Sequence, residues 1–432
     1  MTAVGSKAWI GVDIGKTHHW VCAVDESGQK LLSVKVLNDE APIIEVIAAV
    51  KAVAPDRVWA IDILGTPSAL LVALLAKADE QVRYASGRVV AAMSAAYSGE
   101  GKTDAKDAYT IAETVRIRSD LSVIDADADL VRPLGVLTGY RADLVADRVR
   151  MINRMRDLLT SVFPALEREF DFASCKGALV LLSGYATPEA IRRMGEARLS
   201  RWLRQRRVRG YADVAARAVA AAQTQQTVLP GQDVAASIVA ELANSVLVQH
   251  ERLKVLEQQI QNAFAQHPQA DVIESIPGFG PVLGASLLVA AGDLAAYPTA
   301  GHLAAAAGLV PVPNDSGRRA GNLHKPRRYS RPLRHALYLS AQTSMMRAGP
   351  NRDYYLKKRD QGRTHSQAVI ALARRRIDVL WALLRDNRTW TPAPPDGEGR
   401  VVRPRARVVP CSARSTASVL RSWQATVLWG ND

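Results

Sequence analysis

The chain has 432 residues, 48% of them hydrophobic, which excludes a disordered protein and allows two or three domains with real cores. Lys and Arg number 56 against 42 Asp and Glu, a formal net charge of +14, so the favoured partner is a polyanion, nucleic acid before membrane. Cys22, Cys175 and Cys411 lie far apart without a CxxC pair, which excludes a disulfide framework; with no signal peptide and no apolar run approaching about 18 residues, a cytoplasmic protein with no membrane partner is expected.

The chain opens with WIGVDIG, Trp9 to Gly15, an apolar run ending in an acid and a glycine. Val21 to Val24 and the alternating Leu31 to Leu37 follow, separated by the Asp25-Glu26-Ser27-Gly28 turn, and predict a three-stranded antiparallel meander. Helical periodicity runs from Pro42 to Val53, VWAIDIL (Val58 to Leu64) reads as a strand, Pro67 to Ala76 as a helix, and Val82 to Ser86 as a fifth strand. The order β-β-β-α-β-α-β is that of a ribonuclease H-like α/β domain with a mixed sheet and helices on its faces. Asp13 and Asp62 each interrupt a strand otherwise fit for burial, and an unpaired buried carboxylate is costly, so each calls for a ligand or partner. Farther on, in GEGKTDAKDAYTIAETV, Thr103 or Asp104 can cap a helix, and Asp104 and Asp107 are three residues apart on one face of it. Alone they read as first-turn acids that complement the helix dipole. With Asp13 and Asp62 they make four carboxylates, the hard oxygen set that two Mg²⁺ ions about 4 Å apart need around a phosphate.

Leu134 to Val162 predicts a long helix. In Val239 to Ala263, apolar residues at Val239, Leu242, Val246, Leu253, Leu256 and Ile260 step by three and four, with Gln249 as the polar position. That pattern fits a coiled-coil seam between copies and, equally, an amphipathic helix packed within one chain. Between them, Arg192 to Arg217 is a helical, arginine-rich stretch that reads as a nucleic-acid-facing surface. IPGFGPVLGASLLVA, Ile276 to Ala290, has the form of a helix-hairpin-helix: Gly278 and Gly280 make a tight turn and Pro281 opens the next helix, so backbone N–H groups there suit a phosphate. The alanine-rich Gly292 to Gly308 is expected to be helical, as are Arg331 to Met346 and His365 to Leu384. Between the first two of these, Ser316-Gly317 sits in a proline-bracketed loop followed by Arg318, Arg319, His324, Lys325, Arg327, Arg328, Arg331 and Arg334 without an acid. A hydroxyl beside such cations suits attack on a phosphodiester, although serine in such a loop is more often a turn residue. The domains expected are residues 1–130, the ribonuclease H-like domain; 131–268, a helical and coiled-coil region; 269–390, an α-helical C-terminal domain with the Ser-Gly loop; and 391–432, a basic, flexible tail.

Taken together, GVDIGKTHH and KTDAKDA near the N-terminus, then IPGFGPVLGASLL, AAAAGLVP…SG and RRYSRPLRHAL, resemble the DEDD transposases of the insertion-sequence 110 family, over roughly residues 8 to 385. The resemblance implies a RuvC-type domain whose acids Asp13, Asp62, Asp104 and Asp107 bind Mg²⁺. It implies Ser316 as a nucleophile that joins a DNA strand end, donor and target DNA as partners, assembly as dimers or tetramers through a coiled coil, and in some members a structured noncoding guide RNA. Arg318, Arg319, Lys325, Arg327, Arg328 and Arg331 would then hold phosphates. Two departures stand out. The family's second acid is usually Glu and here is Asp62, and its Lys-Arg-Gly after the Ser-Gly is here Lys325-Pro326-Arg327-Arg328, in which proline fixes φ where glycine was free. The alternatives are a metal-dependent nuclease or junction resolvase on the same fold without a covalent intermediate, an actin-like sugar kinase suggested by Asp13-Ile14-Gly15-Lys16-Thr17 but lacking a second such loop, and a non-catalytic nucleic-acid-binding protein.

Overall fold

The computed structural model describes residues 7–63, 65–96, 103–124, 131–292, 294, 297–316 and 321–391. Strands β1 (Lys7–Asp13), β2 (His18–Val24) and β3 (Lys30–Leu37) form the predicted meander. Helix α1 (Glu40–Val53), β4 (Asp56–Ile61), a 3-10 turn at Thr66–Ser68, α2 (Ala69–Lys77) and β5 (Val82–Tyr84) follow in the predicted order. The sheet runs β3-β2-β1-β4-β5, with β1 antiparallel to β2 and parallel to β4. Alternation along β1 sends Ala8, Ile10 and Val12 to the face covered by α1 and α2. Trp9, Gly11 and Asp13 take the opposite face, which is covered by α3 (Gly87–Ser94) and α4 (Asp104–Ile117). The result is three layers, helices on both sides of a mixed sheet.

Gly11 decides how closely α4 approaches. A Cβ at Gly11 would lie 2.2 Å from the Ala108 carbonyl oxygen and 2.2 Å from the Ala112 nitrogen. Helix backbone therefore rests directly on strand backbone, and the small Ala108 and Ala112, both buried, complete the contact. This seats the first turn of α4 beside the end of β1.

Two helices of unusual length organise the remainder. α5 (Val131–Val162) has 32 residues, and α10 (Gln232–Phe264) has 33. Leu134 and Leu144 of α5 share one core with Leu253, Leu256, Ile260 and Phe264 of α10. Ile152, Met155 and Leu159 share another with Val239, Leu242 and Val246. The two residue orders run in opposite senses, so the helices pack antiparallel, pinned partway by an Arg141–Glu257 ion pair at 2.7 Å. The predicted seam of α10 is thus covered by α5 inside the chain. Between them, α6 (Pro164–Glu169), α7 (Lys176–Leu182), α8 (Pro188–Gln205) and α9 (Tyr211–Gln223) close the second core. The single helical stretch expected from Arg192 to Arg217 is broken twice: Gly195 leaves helical geometry inside α8, and residues 206–210 separate α8 from α9.

The first core belongs to α11 (Ala270–Ser275), α12 (Pro281–Ala291), α13 (Ala300–Ala306), α14 (Arg331–Ser344), α15 (Pro350–Asp360) and α16 (His365–Arg385), joined by a small hairpin of β6 (Val312–Pro313) and β7 (Leu323–His324). Among the described residues of the alanine-rich segment, Ala300–Ala306 is α-helical and Leu294 lies in a 3-10 turn. α15, absent from the sequence reading, buries no residue, so it lacks the apolar stripe by which a helix is recognised. A full capping box at Thr364 and Gln367 starts α16. The turn between α11 and α12 faces inward: Gly278 has φ +93°, and a Cβ there would lie 2.3 Å from the Ser340 carbonyl oxygen of α14. Arg376 of α16, 8% exposed, donates to the Pro277 carbonyl at 2.6 Å and to Ser340 Oγ at 2.8 Å, and burial lowers its pKa to about 10, so it stays charged at neutral pH. Among the described residues no helix is long and apolar enough to cross a membrane.

Gly11→Ala is expected to force α4 off the sheet and lower stability by about 2–3 kcal/mol, because both contacting groups are backbone and cannot swing aside. Urea unfolding of the full chain measures it; an unchanged midpoint would mean that α4 yields without cost.

Candidate active site

Two strands and one helix end bring three of the four predicted acids to one end of the sheet. β1 and β4 are parallel, with Val12 opposite Ile61, so Asp13 and the next residue after β4, Asp62, stand at adjacent carboxyl ends. Both fall on the face covered by α4, in the alternations Trp9-Gly11-Asp13 and Val58-Ala60-Asp62. The close seat of α4 on Gly11 brings Asp107, one residue before Ala108, over the same end. Carboxyl ends of parallel strands, with a helix N-terminus above them, are where open α/β sheets hold their ligands.

The electrostatics of Asp62 follow from that position. Its carboxyl is held above the ordinary aspartate range, first by burial and further by the negative charge of Asp107; the backbone N–H groups of Ile14, Asp62 and Ile63 draw it back only in part. Its Oδ1 is buried with no hydrogen-bond partner among the described residues. Such an orphaned oxygen beside a second carboxylate suits a hard divalent cation. Among the described residues, however, no three His, Cys, Asp or Glu side chains converge closely enough to hold a metal as they stand.

Asp104 sits differently. It is exposed as the first residue of α4, where Thr103 caps the helix by accepting from the Lys106 N–H at 3.3 Å. Tyr84, opposite Ile61 on β5, is a neighbour of Asp62 that the sequence reading did not single out: burial and then the Asp62 charge hold its hydroxyl above the usual range. Only the sheet register points to it.

Ser316 is exposed near the tip of the β6–β7 hairpin. The hairpin is held by Asn314 N–H to the Asn322 carbonyl at 2.8 Å and by Asn322 N–H to Asp315 Oδ1 at 2.9 Å. No hydrogen bond or ion pair among the described residues joins Ser316 to the acids, and the two regions have separate cores. Lys325, Arg327, Arg328 and Arg331, which follow in sequence, are exposed, and among the described residues from 270 onward the ion pairs go to Arg374, Arg385 and Arg388. Arg334 is held back, donating to the Gly308 carbonyl at 3.3 Å over the ring of Tyr329. Arg318 and Arg319 lie outside the described residues. Gly278 is accounted for by its packing on α14, and Gly280 is the N-cap of α12 with nothing near its missing Cβ.

Residues 10–164 match a family described as transposase, the DEDD type of IS110. Residues 270–356 match a family described as transposase of the IS116/IS110/IS902 family. The chain is 53% identical to an uncharacterized 44.8 kDa protein of insertion element IS116 from Streptomyces clavuligerus, over 91% of this chain and 99% of that protein. It is 46% identical to an uncharacterized 42 kDa protein of insertion element IS900 from Mycobacterium paratuberculosis, over 89% of this chain and 97% of that protein. A stretch of 125 residues is 33% identical to a pilin gene-inverting protein of Moraxella bovis, over 28% of this chain and 38% of that protein.

The raised Asp62 carboxyl makes a stability prediction. Its folded form binds the proton more tightly than the unfolded chain does, so its contribution is fully present below the ordinary aspartate pKa and is lost as pH rises through the raised value. Without metal, Asp62→Asn is therefore expected to melt higher than wild type at pH 7, with the gap closing near pH 3.5, around the ordinary aspartate pKa. Thermal melts across that range test it; a lower melting temperature for Asp62→Asn at pH 7 would mean that the charge is stabilised in the fold.

Proposed function

The chain belongs to the IS116/IS110/IS902 family of transposases, and on that premise we propose that it cuts and rejoins the DNA strands of an insertion element, using Asp13, Asp62, Asp104 and Asp107 as metal-holding acids and Ser316 as the nucleophile. The observation that carries this reading is the buried, unpartnered carboxylate oxygen of Asp62 beside Asp107, at the carboxyl ends of β1 and β4. The DEDD family implies a divalent metal, which we take to be Mg²⁺ on the hard oxygen chemistry of the four acids. When bound, it supplies charge neutralisation at the scissile phosphate. In this proposal Asp13, Asp62 and Asp107 would hold the metal at the carboxyl ends of β1 and β4, and Asp104, exposed at the rim, would complete the set. Tyr84 borders the acids and keeps its proton.

Ser316 acts through its Oγ. The Oγ–phosphorus bond forms as the phosphorus–O3′ bond breaks; the serine proton is lost and the departing 3′ oxygen gains one, leaving a 5′-phosphoserine and a free 3′ hydroxyl. Reversal by another 3′ hydroxyl rejoins strands without loss of bond energy. Lys325, Arg327, Arg328 and Arg331 neutralise backbone phosphates beside the serine, with Arg318 and Arg319 assigned the same work from the sequence. The separate cores of the acid site and the Ser316 loop support a composite site that closes on DNA, either within one chain or between copies. A structured guide RNA and a dimer or tetramer belong to this proposal by family resemblance. With the α10 seam occupied by α5, assembly would use other faces of the two long helices.

The test is plasmid recombination with the element's ends and flanking noncoding sequence, paired with capture of covalent protein–DNA adduct on denaturing gels. Ser316→Ala is expected to lose both adduct and recombination by about 10³-fold or more while still binding DNA. Asp62→Asn, Asp104→Ala and Asp107→Asn are expected to lose cleavage to a similar extent and stay folded. Mg²⁺ should raise the melting temperature of wild type and not that of Asp62→Asn. Wild-type cleavage by Ser316→Ala without an adduct would replace the serine with water as nucleophile.

A further inference from the structure

The two family matches end at residue 164 and resume at 270, and between them lies the helical unit α6–α9 with its own core. From Arg192 to Arg217 this unit holds nine arginines against two acids, Glu196 and Asp213. Of these arginines, Arg217 is committed to Glu169 at 2.6 Å and Asp213 at 3.2 Å, and Arg192 turns inward to the Ala222 carbonyl at 2.9 Å. The other seven, Arg193, Arg198, Arg201, Arg204, Arg206, Arg207 and Arg209, are exposed, and among the described residues none forms an ion pair with a carboxylate. Helical geometry aligns three of them. Leu199 and Leu203 point into the core, and at about 100° per residue Arg201 lies directly opposite them, with Arg198 and Arg204 on either side. Successive members of this ridge rise by about 4.5 Å along the axis.

We propose that this ridge of α8 is a docking surface for the phosphate backbone of double-stranded DNA, separate from the cutting residues. Seven clustered cations with no acidic partner are left to a polyanion, and DNA is what a transposase acts on. Duplex is favoured over splayed single strands because the local aromatic rings are already in use. Trp202 carries the Arg206 guanidinium at 3.7 Å over one face and meets Tyr185 edge-on at 5.0 Å, and Tyr211 lies beneath Arg204 at 6.0 Å. A single-strand binder would keep such rings open for bases to stack on. Trp202 instead buttresses the ridge from behind: a Cβ on Gly184 would lie 2.6 Å from its ring. The docking is therefore independent of base sequence, and it holds flanking duplex while the ends are processed elsewhere. The inference rests on the chain acting on DNA, not on which residues cut it.

The experiment measures binding of the full-length protein to a 30-base-pair random-sequence duplex, and to a hairpin RNA of equal length, across a salt series. The triple variant Arg198→Ala, Arg201→Ala, Arg204→Ala is expected to weaken duplex binding by about 10–100-fold and to reduce the log–log salt slope by about 2–3. The triple Arg-to-Lys variant should keep most of both, since a point charge suffices for a phosphate. Single substitution of Arg201 by Gln should reduce the slope by about 0.9, and guards against a triple variant that fails to fold. Unchanged duplex affinity and slope in natively melting variants would overturn the proposal. Loss of hairpin-RNA binding alone would overturn it as well and assign the ridge to RNA. Neither readout requires cleavage, so failure of Ser316 as nucleophile leaves the test intact.

Discussion

The approach of α4 to β1 at Gly11 is the contact on which the acid site depends. A helix normally meets a sheet across a layer of side chains; here there is none at the crossing, because Gly11 has no Cβ and Ala108 and Ala112 have almost no side chain. The helix start is thereby lowered onto the end of the strand. Asp107 then shares a crease with Asp62, and the charge coupling between them follows. With a larger residue at Gly11, the same acids in the same elements would stand farther apart. The raised carboxyl of Asp62 reflects a trade found at functional sites, in which a group poised for a ligand is held at some expense of stability.

A second constraint is the length of α5 and α10. Each is long enough to enter two cores, so the antiparallel pair is a shared spine with a helical unit at either end. One end carries the Ser316 hairpin and its cations. The other carries the arginine ridge. Charge is distributed accordingly: the core-facing sides are apolar, and the hairpin and α8 both carry exposed cations that form no ion pair among the described residues. Arg376 is the exception in the first core, a buried cation used as a bolt: it ties the Pro277 turn to α14 through two hydrogen bonds, in place of a carboxylate partner. That geometry gives Gly278 a structural explanation where the sequence suggested a phosphate loop.

Much of this was legible in the sequence because it is local. Period-two alternation and turn residues gave the strands of the meander and the order of the first sheet. Period 3.6 gave α5, α14 and α16 to within a few residues and α10 without its first seven, and the family resemblance rested on motifs that survive as contiguous strings. What is local in chemistry also came through: Thr103 as one of two candidate caps, and Asp13 and Asp62 as acids out of place in apolar strands. α15 did not come through because no stripe marks it, and the helix expected over Gly292 to Gly308 shrank to α13 because alanine content measures propensity and not packing.

The sequence by itself determined the family and the basic balance, and it named four acids and a serine as candidates, since these are properties of residues and their order. Only the tertiary structure decided the rest. It showed that the apolar seam of α10 is covered by α5 in the same chain, because a periodic stripe specifies that a face is buried and not what buries it. It separated Asp104, exposed at the rim, from Asp62 and Asp107, which share a crease, although Asp104 and Asp107 are three residues apart on one helix. It brought Tyr84 to the site through strand register, a relation that exists only between chain segments paired in space. And it divided the arginines of α8 and α9 into those held by partners and those left facing solvent, which composition cannot do, because a charge is free or paired only once its neighbours are in place.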